Sequence, residues 1–247
     1  MRSLLVILLA VCGSAIAQDF IPAGTVIPLA LKRSLNSRKA KIGDLLLGRV
    51  MQDIPVSNTD KVPAGALVEG HIVALARRQA SRPASITIQF DQLRFDHKSL
   101  PVTTNLRAVA SAMEVEAAQI PPSGPDRGTP WAWATRNLIG GEVAYGEGGP
   151  VADGTKTVGR ALADGVLAPV RANPKRGCRG ELFGNRRPQA LWVFSSDACG
   201  VYGIPELQIS HAGRTALLGQ FTLTLEHGDV MLRGGAGLLL RVSSTAQ

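Results

Sequence analysis

The stretch IPAGTVI at residues 21–27 returns as VPAGALV at residues 62–68. In each copy an apolar residue leads into Pro-Ala-Gly, and a mostly aliphatic run follows. Proline fixes φ for a turn, and glycine supplies the positive φ that a tight turn often needs. Each copy therefore predicts a turn that opens a β-strand.

Further strands are predicted around the second copy. The segment KIGDLLLGRV at residues 41–50 reads as another turn followed by a strand. Residues 85–90 alternate strictly between polar and apolar side chains, whereas Leu93 and Phe95 fall on the other parity. A β-bulge near residues 91–92 would return those two side chains to the buried face.

The last part of the chain returns to β patterns. Residues 190–194 form an apolar strand candidate, and residues 221–225 alternate apolar side chains with threonine. Residues 228–229 predict a hairpin turn, and the small residues at 234–237 predict a bend before a final strand at 238–242. The predicted fold class is all-β: a barrel or sandwich of short antiparallel strands with a Gly-rich, disulfide-stapled loop region.

The domain organisation follows from composition. Residues 18–120 form a first β domain, with an Ala-rich segment at 108–118 that suits either a short helix or an extended edge strand. Residues 121–150 form a linker and loop rich in proline and glycine. Residues 129–170 predict long loops with two short strands. Residues 151–247 form a second β region, which either completes the same barrel or makes a separate domain.

Residues 1–17 read as a cleaved signal peptide. Arg2 is a short positive region, residues 4–11 are apolar but too short to span a bilayer, and residues 15–17 are Ala-Ile-Ala, the form of a cleavage site. An alternative is lipoprotein processing at Cys12. We therefore expect an exported protein of the periplasm or cell envelope, with no transmembrane helix in the mature chain.

The formal net charge of +8 is spread along the sequence. A basic exported protein meets anionic lipid, cell-wall polymer or nucleic acid. The basic residues form only short local runs, so they are interpreted as solubilising surface charge. The partners expected are envelope proteins or cell-wall polymer, with no nucleic acid, and the oligomeric state is left open.

The cysteines agree with export. Cys12 leaves with the signal peptide, so Cys178 and Cys199 form an even pair that we predict to be a disulfide. The alternative is a thiol nucleophile at Cys199 with Asp197 and His211, in an exported hydrolase. A bridge to Cys178 would remove that thiolate.

Motifs that carry chemistry are otherwise absent from the sequence. There is no Gly-x-Ser-x-Gly elbow, no Walker loop and no His-Glu-x-x-His pattern. The four histidines are far apart in sequence, so no metal site, no cofactor, no catalytic residue and no enzymatic activity are predicted. Trp131 and Trp133 share one face if they lie on a strand. With Arg136 they are candidate binding residues for a glycan or peptidoglycan, although such a pair more often packs in a core.

The order of these segments resembles the C-terminal domain of the TrbI-like family, the channel-lining scaffolds of conjugation and type IV secretion machines. The resemblance covers residues 20–106 and rests on IPAGTVIP at 21–28, Gly-Arg-Val at 48–50, VPAGALVEG at 62–70 and ITIQFDQL at 86–93. It implies a β-barrel with flanking helices. The chain is expected to depart from the family by having a signal peptide in place of the family's cytoplasmic N-terminus, membrane helix and Pro-rich stalk.

The function expected from the sequence is that of an exported, non-enzymatic β scaffold or binding protein of the cell envelope, in a secretion-type assembly if the resemblance holds. The alternatives are the glycan-binding module and the hydrolase described above.

Overall fold

The computed structural model of the chain describes residues 21–56, 60–119, 135–140, 143–145, 150–153, 156–162, 165–167, 191–195, 198–210 and 219–243. The predicted signal peptide, most of the predicted linker and Cys178 lie outside these residues.

The described part is built from short strands and one helix. In its first half the elements are β1 (Val26–Leu31), β2 (Leu35–Asn36), β3 (Leu45–Val50), β4 (Ile54–Pro55), β5 (Lys61–Val62), β6 (Leu67–Ala76), β7 (Ala84–Phe95), β8 (Lys98–Pro101), β9 (Thr104–Ala110) and α1 (Ala112–Gln119). The later strands are β10 (Thr135–Asn137), β11 (Val143–Tyr145), β12 (Pro150–Asp153), β13 (Lys156–Leu162), β14 (Gly165–Leu167), β15 (Gly200–Tyr202), β16 (Leu207–Ser210), β17 (Phe221–Leu225), β18 (Met231–Leu232) and β19 (Gly237–Val242).

One sheet of ten strands forms the body of the protein. Its order is β15-β9-β19-β1-β3-β6-β7-β17-β16, and β8 pairs with β7. The two end strands, β15 and β16, are joined by residues 203–206 and lie beside each other, so the sheet curves into a nearly closed barrel. The predicted all-β class is confirmed, and of the two architectures it is the barrel.

Four segments of ten residues share one backbone design. These turn–strand units are residues 22–31, 41–50, 63–72 and 233–242. In each, the amide of the fourth residue donates to the carbonyl of the first, at 3.1, 3.1, 3.2 and 3.0 Å respectively. The third residue is a glycine with φ of 86, 88, 93 and 87°. Such a turn needs positive φ at its third residue, which explains the glycine.

The units pair reciprocally. Gly24 donates to the carbonyl of Val242, the last residue of the unit that β1 pairs with, at 2.8 Å. Gly235 in turn donates to the carbonyl of Leu31 at 2.8 Å. In the second pair, the amide of Gly65 donates to the carbonyl of Val50, and the amide of Gly43 donates to the carbonyl of Ile72, each at 2.8 Å. Each turn therefore closes one end of its partner strand, which fixes the register of both pairs.

The sheet divides into two similar halves around the β1–β3 pair. The covered half is β9-β19-β1 and the open half is β7-β6-β3. Inward-facing side chains of both halves share the main core, and Ile27 and Leu46, which occupy the same position in their units, both belong to it. The halves differ on the outside of the barrel.

The outer face of the covered half carries a second layer. This covering layer consists of α1 with residues 138–140, 191–195 and 198–199. Its side chains form a second buried cluster with the outer side chains of the covered half: Val26, Ala108, Ala110, Val115, Ala118, Ile139, Leu191, Val193, Phe194, Ala198, Tyr202 and Leu239. The helix begins after Ser111, whose hydroxyl accepts the amide of Glu114 at 3.2 Å.

Several local predictions are confirmed. Glu69 pairs with Gln92 and Gly70 pairs with Phe90, so Asp91 is the extra residue of a β-bulge. The Ala-rich segment forms the short helix that was one of its two predicted structures, from Ala112 onward; its first residues end β9, which lies between β15 and β19 and is not an edge strand.

Other local predictions are wrong. The predicted hairpin at 228–229 does not form, because β17 pairs with β7 and β16 while β18 pairs with β2. Residues 191–194 are not a strand but a turn, with Trp192 at φ 54° and one bridge from Phe194 to Ile139. Five strands, β10 to β14, lie in the region that was predicted to be long loops with two short strands.

Candidate binding groove

A groove lies beside β3, at the point where the chain that follows the 22–31 unit bends away from that strand. Lys32 donates to the carbonyl of Leu47 at 2.9 Å, and the chain then bends away so that β2 can pair with β18. The space left beside β3 has a volume of about 480 Å³. Its lining comes from both sides and from β18: Leu31, Arg33, Ser34, Leu35, Asn36, Lys39, Ala40, Asp44, Leu45, Leu46, Leu47, Ile72 and Met231.

The floor of the groove is aliphatic and so is part of its rim. Leu35, Leu46 and Ile72 are buried members of the main core, so they give the groove a fixed base. Leu45 and Met231 are large apolar side chains on the rim, and they are 55% and 50% exposed. An apolar rim around a concave surface is typical of a binding site rather than of a solvated surface.

The segment opposite β3 is strongly basic. Residues 32–41 carry five exposed basic side chains and no acidic one: Lys32, Arg33, Arg38, Lys39 and Lys41. Among the described residues that line the groove, Asp44 is the one acidic residue, and its carboxylate accepts a hydrogen bond from the amide of Lys41 at 2.8 Å. Clustered charge of one sign over a low-dielectric wall attracts the opposite charge.

The basic segment is held in place by polar contacts with residues 229–234. The hydroxyl of Ser37, which is fully buried, accepts the amide of Val230 at 3.0 Å and donates to Asp229 at 3.3 Å. The amide of Ser37 donates to the carbonyl of Val230 at 2.9 Å. At the other end, the hydroxyl of Ser34 accepts the amide of Gly234 at 3.0 Å. The groove is therefore preformed, with both of its walls anchored to the barrel.

Cys199 does not line this groove but belongs to the covering layer. Its side chain is fully buried, and its backbone amide and carbonyl both lie 3.1 Å from the hydroxyl of Tyr202. Burial raises the pKa of that phenol, while the backbone hydrogen bond at Cys199 acts in the opposite direction. Because Asp197 and His211 lie outside the described residues, the hydrolase hypothesis is not tested, although a nucleophile at Cys199 would have no access to a substrate in this conformation.

The other candidate residues from the sequence are not brought together in the described part. Arg136 lies in β10, where its backbone pairs with Ala144. Trp131, Trp133 and Cys178 lie outside the described residues, so the glycan site and the Cys178–Cys199 bridge stay predictions. Among the residues that are described, no group of three or more His, Cys, Asp and Glu side chains could hold a metal ion.

The sequence analysis does not predict the groove, because it treats the aliphatic run at residues 45–47 and the basic residues between 32 and 41 separately. The run Leu45-Leu46-Leu47 does not alternate, so it places an apolar side chain on the outer face as well as in the core. The short basic runs between 32 and 41 were interpreted as solubilising charge. Taken together, an aliphatic run next to a purely basic loop would have indicated a binding surface.

No known protein-family model matches this chain, and no curated protein matches it. Within the described residues no helix has the length and apolar character that crossing a membrane requires.

Proposed function

We propose that the protein is a non-enzymatic scaffold or binding protein of the cell envelope and that its groove receives another protein. The observation that supports this proposal is the exposure of Leu45 and Met231 at a preformed, basic concave surface. Large apolar side chains cost free energy when they stay in water, so a surface that keeps them beside a cavity favours a partner that covers them.

The envelope location rests on the signal-peptide pattern of residues 1–17 and on cysteine chemistry. Cys199 is fully buried, which suits one half of the proposed bridge to Cys178. A structural disulfide favours an oxidising compartment.

The resemblance to the TrbI-like barrel domain extends the proposal to a secretion-type assembly. In support, the resembling stretch of residues 20–106 supplies three of the four turn–strand units of a barrel. The assembly itself remains a proposal.

A photo-crosslinking amino acid at position 45 tests the binding function in the cells that make the protein. Leu45 on the groove rim and Met113 on α1 are both exposed apolar residues, at 55% and 73%, so Met113 is the matched control position. We expect a discrete protein adduct from position 45 and none of the same mass from position 113. Identical adducts at both positions, or none at position 45, would contradict a role for the groove.

A further inference from the structure

Building on the proposed binding function, we infer that the groove takes an extended, acidic and aliphatic segment of another protein, which pairs with β3 as a short additional strand. Three features of the groove carry this inference: an unfilled strand edge, an aliphatic floor and a basic wall.

The strand edge lies at Leu45. Register places β3 beside β6 from Leu45 to Arg49, but beside β1 only from Gly48 to Val50. Hydrogen-bonding direction alternates along a strand, and Asp44 and Val50 both bond towards β6. The amide and carbonyl of Leu45 therefore point the other way, into the groove. In the described part of the chain no strand lies beside Leu45 on that side.

Lys32 shows what that edge binds. Its amide donates to the carbonyl of Leu47 at 2.9 Å, which continues the β1 side of the ladder by one step before the chain turns away. An extended segment laid beside Leu45 would take the place that β1 leaves empty. Addition of a strand to an open sheet edge is a common mode of peptide recognition, in which main-chain hydrogen bonds give affinity and pockets give specificity.

The floor selects alternate side chains. Successive residues of a strand point to opposite sides, so every second side chain of an added segment would face the floor formed by Leu35, Leu46 and Ile72. These positions favour aliphatic residues, since burying each one removes apolar surface from water on both partners. The exposed Leu45 and Met231 would be covered by the same event.

The basic wall selects acidic residues at the remaining positions. Residues 32–41 present five exposed cations, and Arg33 and Lys39 line the groove directly. The same charge disfavours a second copy of this chain as the occupant, because its net charge is +8 and its own groove wall is basic. A partner segment that alternates acidic with aliphatic residues complements both the wall and the floor.

The test uses the full-length mature protein and a fluorescein-labelled octapeptide in which glutamate alternates with leucine and valine. Binding is followed by fluorescence anisotropy. We expect saturable binding that weakens with salt, and at least about tenfold weaker binding when lysine replaces every glutamate. Equal binding of the two peptides would overturn the acidic class of partner.

Backbone methylation tests the strand edge. N-methylation at alternate positions removes the amide donors from one edge of the peptide, and methylation at the intervening positions removes them from the other edge. If the peptide pairs with Leu45, one set should lose most of its affinity and the other should keep it. Equal effects of the two sets would refute strand addition.

Protein variants locate the site. Arg33→Glu with Lys39→Glu should weaken binding of the acidic peptide at least about tenfold, whereas Arg82→Glu, an exposed cation at the tip of the β6–β7 hairpin, should change it less than about twofold. Circular dichroism and melting temperature confirm that the variants fold. An adduct at position 45 in cells combined with no octapeptide binding would overturn this inference while leaving the binding function standing; loss of both would refute the function itself.

Discussion

Val26 and Leu45 hold the same position in two turn–strand units, the first residue after the turn, yet their surroundings are opposite. Val26 is fully buried beneath the covering layer, while Leu45 is 55% exposed on the groove rim. Both follow a turn of the same geometry, and both precede an inward-facing aliphatic residue. The turn–strand unit therefore determines only that its inner side chains are buried. Whether its outer side chains are buried depends on what packs against the outside of the barrel.

The covered half behaves like a sheet buried on both sides. Every residue of β1 and of β9 is buried, and the sequence of β1, VIPLAL, has no polar side chain. The open half alternates instead, with buried and partly exposed residues succeeding each other along β6 and β7. Burial alternates in β3 as well, and Leu45 differs from its neighbours in being a large apolar side chain at an exposed position.

Truncating an aromatic side chain of the covering layer is expected to have the largest effect. Phe194 is fully buried, and its ring lies so close to Gly237 that a Cβ there would come within 3.1 Å of it. Phe194→Ala should lower the free energy of unfolding by about 3–5 kcal/mol because it leaves a cavity. Leu45→Ala should change it by less than about 0.5 kcal/mol. Urea unfolding of both variants measures the difference.

A small effect of Phe194→Ala would show that the covering layer contributes little and that the two halves are energetically alike. A large effect of Leu45→Ala would show that the free protein already covers Leu45.

Removing the proposed disulfide also tests how much the covering layer contributes to stability, because Cys199 belongs to that layer. A bridge between Cys178 and Cys199 closes a loop of 199 − 178 = 21 residues, for which chain entropy predicts a contribution of about 3 kcal/mol. Cys199→Ser should therefore lower the melting temperature by several degrees and make Cys178 reactive to thiol reagents. Mass spectrometry of unreduced, alkylated protein measures the bond directly. Two alkylated cysteines in the mature wild-type chain would be incompatible with the bridge.

The turn glycines test whether the units are equivalent. Gly43 and Gly65 have φ of 88 and 93°, and an added Cβ would meet no heavy atom within 4 Å at either position. Alanine there should cost about 1–2 kcal/mol through backbone strain alone, and asparagine should cost less because it tolerates positive φ.

Gly234 supplies the matched control for those glycines. It sits one position earlier in its turn, without positive φ, and the nearest atom to an added Cβ is 3.6 Å away. Gly234→Ala should be neutral or slightly stabilising. Unequal costs at 43 and 65 would mean that the two units of the open half are not equivalent.

The smallest effect is expected at Asp53, which holds the turn of the 63–72 unit. Its carboxylate accepts hydrogen bonds from the side chain of Lys61 and from the amide of Ala64, and these lower its pKa below the usual 3.8, the Lys61 bond contributing most. Because the pKa of Asp53 is lower in the folded state than in the unfolded state, the ionised carboxylate stabilises the fold at pH values above about 3.8. This stabilisation is lost as the pH falls below about 3.8 and the carboxylate takes up a proton. Asp53→Asn should thus be slightly destabilising at pH 6 and nearly neutral at pH 3. An equal difference from wild type at both pH values in urea unfolding would contradict this linkage.

The sequence was sufficient for the fold class because its strongest signals are local. A Pro-Ala-Gly turn, an alternating strand and a bulge at residues 91–92 each depend on neighbouring residues alone. The failed hairpin at 228–229 shows the limit. A glycine turn after β17 predicts a hairpin locally, but β18 pairs with β2, in the register that β19 and β1 share. Pairing between distant segments leaves no local trace.

The covering layer could not be predicted for a similar reason. Residues 191–194 are apolar enough for a strand, but Trp192 takes positive φ and its amide donates to the side chain of Gln52, far away in sequence. The start of α1 could have been predicted from the sequence, because Ser111 and Glu114 have the spacing of a helix capping box. The groove could not be predicted because it forms where the chain bends away from β3 after Lys32, and that bend depends on the tertiary structure.

The pairing of β1 with β19 also governs when the protein can fold. Val26 pairs with Arg241, which follows it by 241 − 26 = 215 residues, whereas β3 and β6 are joined by a much shorter connection. Contacts between distant segments are slow to form because the intervening chain must be ordered first. A chain that is still being synthesised can therefore assemble its open half early, but its barrel closes only after residues 237–242 have emerged.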